Sequence, residues 1–194
     1  MLRDLRNRHF DFIAFAYDRL LGPPQVADLA MMLGLPIRGR LLDAGGGTGR
    51  VSLPLRPQVG EVVVSDLSGE MLRNARKKAG LDGVRARTEQ LPFPDGAFER
   101  IIVIDALHHF ARREEALAEL VRVLKPTGRM LIEEPDLNLP IVKLVAVAEK
   151  LLLMESHFAT PGAIGAAVQR HGLSPAIRQG GRFRTWIIAE KPGA

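Results

Sequence analysis

The run Leu41-Leu42-Asp43-Ala44-Gly45-Gly46-Gly47-Thr48-Gly49 sets one carboxylate and a cluster of glycines behind an apolar pair. An acid and a flexible turn at the C-terminal end of a buried strand lie where open α/β sheets take their ligands. Glycine suits the turn because a side chain would hold a ligand off the backbone, and because such turns visit φ > 0. The spacing excludes two neighbouring chemistries. Counted from Gly45 and Gly47, the third glycine of a dinucleotide fingerprint falls on Arg50, and that pattern fails. Gly49 is followed by Arg50-Val51 rather than Lys-Ser/Thr, so a phosphate-binding P-loop fails too. A tight strand-to-helix turn with incidental glycines is the competing reading.

Asp66 lies seventeen residues past Gly49, at the end of the apolar run Val62-Val63-Val64. A carboxylate there can accept both hydroxyls of a ribose; as the alternative it caps the helix that follows. His108 and His109 follow the apolar run Arg100–Ile104. An imidazole titrates near neutrality, which makes His108 the candidate general base. Packing of the loop is an equal alternative for His108 and the favoured reading for His109. His9, His157 and His171 read as structural, with His157 also placed to line a substrate lid.

The elements that must position these residues alternate between strand and helix. Strands are expected at 40–44, 62–66, 84–88, 100–104 and 130–133. Helices are expected at 10–21, 24–34, 68–79, 113–124 and 140–156, and another is N-capped by Thr160 with Pro161 at its first position. Segments 174–180 and 182–190 read as a closing hairpin around Gly180-Gly181. Such alternation predicts an α/β, Rossmann-like three-layer sandwich. Its mostly parallel seven-stranded sheet carries a C-terminal antiparallel hairpin strand. One domain over 1–194 is expected: an N-terminal helical cap (1–36), a ligand-binding core (37–136), and substrate-side helices with the hairpin (137–194).

Composition narrows the chemistry. The chain has 194 residues, enough for one sizeable core. It has no cysteine, which removes disulfides and thiolate chemistry. Met1–Arg6 lacks a signal-peptide h-region, and a cytoplasmic location is expected. The apolar window 137–154 carries Lys143, Glu149 and Lys150, a poor membrane span. Net charge is +5, with the arginines scattered. They read as solvated surface, the Arg182/Arg184 pair included, rather than as a nucleic-acid stripe.

Taken together, Asp43–Gly49 and Asp66–Leu72 resemble the first two motifs of the class I S-adenosylmethionine (SAM)-dependent methyltransferases. Segments 89–98, 105–110 and 124–128 resemble that family's later motifs. Phe10-Asp11 and Tyr17-Asp18 are similar to the branch that includes the ubiquinone/menaquinone-biosynthesis C-methyltransferases, within the type 11 methyltransferases. The resemblance implies SAM as cofactor, S-adenosylhomocysteine as product and no metal. It implies that Asp43, Gly45, Gly46, Gly47 and Gly49 hold the methionine part and that Asp66 takes the ribose. Leu67 and Met71 would flank the adenine, with Thr88 and Glu89 at its edge, and Asp105 and Ala106 would border the sulfonium. Arg87 stands where many relatives carry an acid, and an arginine has only donors to offer the adenine amino group. Acceptor specificity is expected from Phe10, Tyr17, His157 and segment 137–158, for a small apolar or aromatic acceptor. An RNA methyltransferase and a non-catalytic SAM-binding protein are the alternatives. Oligomeric state is left open.

Overall fold

In a computed structural model of the chain, residues 26–139, 142, 157–180 and 183–193 are described. The expected helix at 10–21, most of that at 140–156, and Phe10 and Tyr17 lie outside these residues.

The strands are β1 (Arg40–Ala44), β2 (Glu61–Asp66), β3 (Leu81–Arg85), β4 (Phe98–Ile104), β5 (Leu124–Pro135), β6 (Ser174–Gln179) and β7 (Arg184–Glu190). The helices are α1 (Val26–Leu33), the short α2 (Ser52–Leu55), α3 (Gly69–Arg76), α4 (Arg113–Val123) and α5 (Pro161–Arg170). The sheet runs β3-β2-β1-β4-β5-β7-β6. β3 through β5 are parallel, and β7 is antiparallel to both β5 and β6.

The strands alternate between two cores because successive side chains point to opposite faces. Leu42, Val63, Ile101, Val103, Met130 and Ile132 pack with Leu117 and Leu120 of α4 and Val168 of α5. Leu41, Val62, Val64, Ile102 and Leu131 pack with Leu29 and Leu33 of α1 and Leu72 of α3. Burial on both faces is what a parallel, apolar-run sheet requires. Strand order reverses between β1 and β4. A crevice at the C-terminal ends of strands flanking such a reversal is the ligand position of open α/β sheets.

Some boundaries differ from expectation. β3 lies at 81–85, not 84–88, because Gly80 (φ +80°) turns the chain early and Leu81 is buried in the core. Asp82 and Gly83 hide this strand from a pattern reading. α3 ends at Arg76 rather than residue 79. β5 begins at Leu124; the turn Lys125–Gly128 bulges between the pairs Phe98↔Leu124 and Arg100↔Arg129. Thr127 takes φ +60° there.

Candidate cofactor and active site

β1 and β2 end side by side, with Asp43 paired to Val64 and Ala44 to Ser65. Asp43 is 1% exposed and its Oδ2 has no hydrogen-bond partner. Burial pushes its carboxyl up to about 7; the Ser52 hydroxyl beside it opposes the rise, and the Asp66 charge adds to it. A methyl group on Gly46 would run into the Asp43 carboxylate. Gly47 has φ +54°, and a Cβ there would find nothing nearer than Asp66 Oδ2 at 3.9 Å. Gly45 faces the loop after β4, where its Cβ would lie 2.7 Å from that of Ala106. Gly49 lies over Leu81.

The turn does not present a row of open N–H groups. Gly45 and Gly46 donate to Ser65 O (2.8 and 3.2 Å), and Gly49 donates to Gly46 O (2.8 Å). Gly47 donates to Asp66 Oδ2 at 2.9 Å. What the turn offers a ligand is room and a buried carboxylate.

Asp66 also accepts from Ser68 N through Oδ1 (2.7 Å), at the start of α3, where Ser68 Oγ caps Met71 N (3.3 Å). It therefore braces both the helix entry and the glycine turn. Each carboxylate oxygen keeps a second lone pair for a ribose hydroxyl. Leu67 beside it is 55% exposed, an apolar shelf at the crevice. Met71 is half-buried and Thr88 buried. Glu89 Oε1 accepts from Arg112 N at 3.1 Å, which ties the loop after β3 to the start of α4.

The ends of β4, β5 and β7 carry a second constellation. Asp105, just past β4, has φ +51°, and neither carboxylate oxygen receives a hydrogen bond. Burial raises its carboxyl to about 7; Arg184, 3.7 Å away, opposes the rise, and Glu133 and Glu134 add to it. Buried Glu133 accepts from Arg184 Nη1 and from Trp186 Nε1, both on β7. Arg184, read from sequence as solvated surface, is thus buried as a counter-charge. Glu134 points to the opposite face of β5. It accepts from Leu107 N through Oε1 (2.8 Å) and meets His108 Nδ1 through Oε2 (2.5 Å).

His108 is 4% exposed, with Phe158 stacked on it at 4.4 Å and His109 tilted against it at 4.0 Å. His157 is brought alongside by main chain: its N–H donates to His108 O at 2.7 Å, and its carbonyl accepts from Arg113. Sequence reasoning passed over Glu133, Glu134 and Trp186. The signal was there for the acids: Glu133-Glu134 ends the apolar run Met130-Leu131-Ile132 as Asp43 and Asp66 end theirs.

Comparison with known proteins agrees with this geometry. Residues 42–132 match the model of the family described as methyltransferase domain. The chain is 41% identical over 105 residues to the ubiquinone/menaquinone biosynthesis C-methyltransferase UbiE of Erwinia tasmaniensis, covering 49% of this chain and 42% of that protein. It is 41% identical over 102 residues to the demethylmenaquinone methyltransferase of Thermus thermophilus, covering 49% and 46%. The matched stretch thus spans less than half of either relative. A solved SAM-dependent methyltransferase from Thermotoga maritima, titled a possible histamine N-methyltransferase, superposes with a TM-score of 0.77 at 19% identity. It covers 94% of this chain and 97% of that one, and shows the shared fold. In residues 42–132 and in its fold the chain is similar to the class I SAM-dependent methyltransferases. Within that class its sequence relatives are of the UbiE-like branch.

Proposed function

We propose that this chain transfers a methyl group from SAM to a ring carbon of a small quinol-type aromatic acceptor, the chemistry in the names of its relatives. The carrying observation is the buried, unpartnered Asp43 oxygen behind a glycine turn at the β1/β4 reversal. This donor set fits SAM. Asp43 would take the cofactor's ammonium, the 45–49 turn its methionine chain and Asp66 its ribose. Leu67 and Met71 would flank the adenine, Thr88 and Glu89 would border its edge, and Asp105 and Ala106 would line the reacting end. SAM supplies a methyl group already activated by its sulfonium.

The protein's own work is alignment and exclusion of water. Where the acceptor must lose a proton, His108 is the proposed general base, in a loop that Gly45 and Ala106 hold against the glycine turn. His157, with the expected Phe10 and Tyr17, would belong to the acceptor side. The reading takes the chain as one domain working in the cytoplasm on a small molecule, without a metal. Among the described residues no helix is long and apolar enough to cross a membrane.

Calorimetry with SAM, S-adenosylhomocysteine and NAD, followed by labelled-SAM assays on a reduced short-chain demethylmenaquinone, simple phenols and tRNA, tests this. The expected outcome is binding of the first two ligands alone and label in the quinol. Preferential binding of NAD overturns the cofactor. Label in tRNA alone overturns the acceptor class.

A further inference from the structure

We infer that Glu134 is a positioning residue for His108: it fixes the imidazole as the tautomer protonated on Nδ1, leaving Nε2 as the ring's proton-accepting nitrogen. The inference rests on the proposal that His108 is the general base.

Glu134 is the penultimate residue of β5, and its side chain is 5% exposed. Both its oxygens are committed to one short loop. Oε1 holds the backbone N–H of Leu107, and Oε2 holds the ring of the next residue. The backbone bond fixes where the loop lies relative to the sheet, and the ring bond fixes how the imidazole is turned. A carboxylate only accepts, so in the neutral ring the shared proton must lie on Nδ1. An imidazole so bound can take a proton on Nε2, and the resulting cation is stabilised by the carboxylate it already touches. A nucleophile's or acceptor's base turned by a third group follows the same logic on unrelated folds.

A purely structural reading explains less. The loop needs only an acceptor for Leu107 N, and a glutamine would supply that. Among the described residues, His109 on the same loop, Asp105 at the end of β4 and Phe158, stacked on its face, also face the ring. Glu133, adjacent in sequence, points to the other face of β5, where Arg184 and Trp186 occupy it. Among the described residues, Glu134 is the carboxylate in hydrogen-bond contact with the ring. The step it supports is a single proton transfer. The proton leaves the acceptor for His108 Nε2, its electron pair stays on the acceptor, and Nδ1 keeps its own proton, donated to the Glu134 carboxylate, throughout.

The test is imidazole ¹⁵N–¹H correlation spectroscopy of the ¹⁵N-labelled protein with S-adenosylhomocysteine, for the parent, Glu134→Gln and His108→Gln, the last identifying the His108 signals. Single-turnover rates across pH 6–9 with labelled SAM and a reduced short-chain demethylmenaquinone accompany it. The expected parent spectrum shows neutral His108 protonated on Nδ1. In Glu134→Gln that preference is lost, the acid limb of the rate profile moves to lower pH, and turnover falls about 10²-fold, while S-adenosylhomocysteine still binds. Protonation on Nε2 in the parent overturns the inference, and that measurement needs no variant to fold. An unchanged tautomer and pH limb in Glu134→Gln overturns it as well and leaves Glu134 a loop brace. A parent with the expected tautomer that leaves the quinol unmethylated supports the placement by Glu134 and overturns the acceptor reading instead.

Discussion

At the ends of β1 and β2, the donors are backbone N–H groups of the glycine turn and of Ser68. The four glycine amides of the turn reach Ser65 O, Gly46 O and Asp66, and Asp66 reaches two residues forward to Ser68. At the ends of β4, β5 and β7 side chains carry most of the bonding: Glu134 with Leu107 N and the His108 ring, Glu133 with Arg184 and Trp186. The first region is a backbone mould around one carboxylate. The second is a set of buried charges that neutralise one another. The glycine amides of the mould are bonded without a ligand, and its one open buried group is Asp43 Oδ2. A buried charge set is sensitive to each member, because a charge left without its partner in the interior costs several kcal/mol.

The largest effect should fall on the second region. Arg184→Met leaves Glu133 with Trp186 as its donor and takes the guanidinium from beside Asp105. Urea unfolding should show a loss of about 3–5 kcal/mol, the scale of breaking a buried pair. S-adenosylhomocysteine affinity of the folded variant should stay within a few-fold. A stability change near zero would show that the two regions do not differ in this way.

Next comes a cut in the mould. Asp66→Ala should weaken SAM binding by about 1.5–3 kcal/mol, the range for hydrogen bonds to a charged group. It should also cost about 1 kcal/mol of stability through the lost Ser68 contact. Calorimetry beside thermal melts separates the two. Unchanged affinity in a folded variant would reduce Asp66 to a brace for α3 and the turn.

The smallest effect is a pH dependence. The Asp43 carboxyl is raised to about 7 in the fold, above its unfolded value of 3.8. Its contribution to stability is therefore complete below the unfolded value and is lost as pH rises through 7. SAM affinity should move the opposite way, because the ammonium needs the ionised form. The dissociation constant should fall about tenfold between pH 6 and pH 8, as the ionised fraction rises. Asp43→Asn should flatten both trends; a flat parent profile would show that Asp43 is already ionised in the free protein.

The same contrast decides what could be read from the sequence. The mould is written in one stretch: apolar run, acid, glycines, with Asp66 ending the next run. β1 matched residue for residue, and Ser68 and Thr160 cap their helices as read. Glu133 and Arg184 are 51 residues apart. No local pattern pairs them, so Arg184 looked like one more surface arginine until β7 was seen beside β5. β3 was misplaced for a related reason. Its buried residue, Leu81, is followed by Asp82 and Gly83, and its place is set by pairing with β2 rather than by its own composition.

β7 comes last in sequence among the described strands, yet it lies inside the sheet, between β5 and β6. Proteins are made from the N-terminus, and early parts can organise first. Every residue assigned here to the cofactor precedes residue 107, while the two donors to Glu133 arrive at 184 and 186. A chain interrupted during synthesis at any point between 137 and 183 already carries the whole glycine turn. It also carries a β5 with a bare edge and an acid with nothing to neutralise it. In the order of manufacture, the residues that would grip the cofactor exist before those that finish the chamber where it would be used. The sheet edge exposed in that interval is the one a nascent chain must keep from other strands.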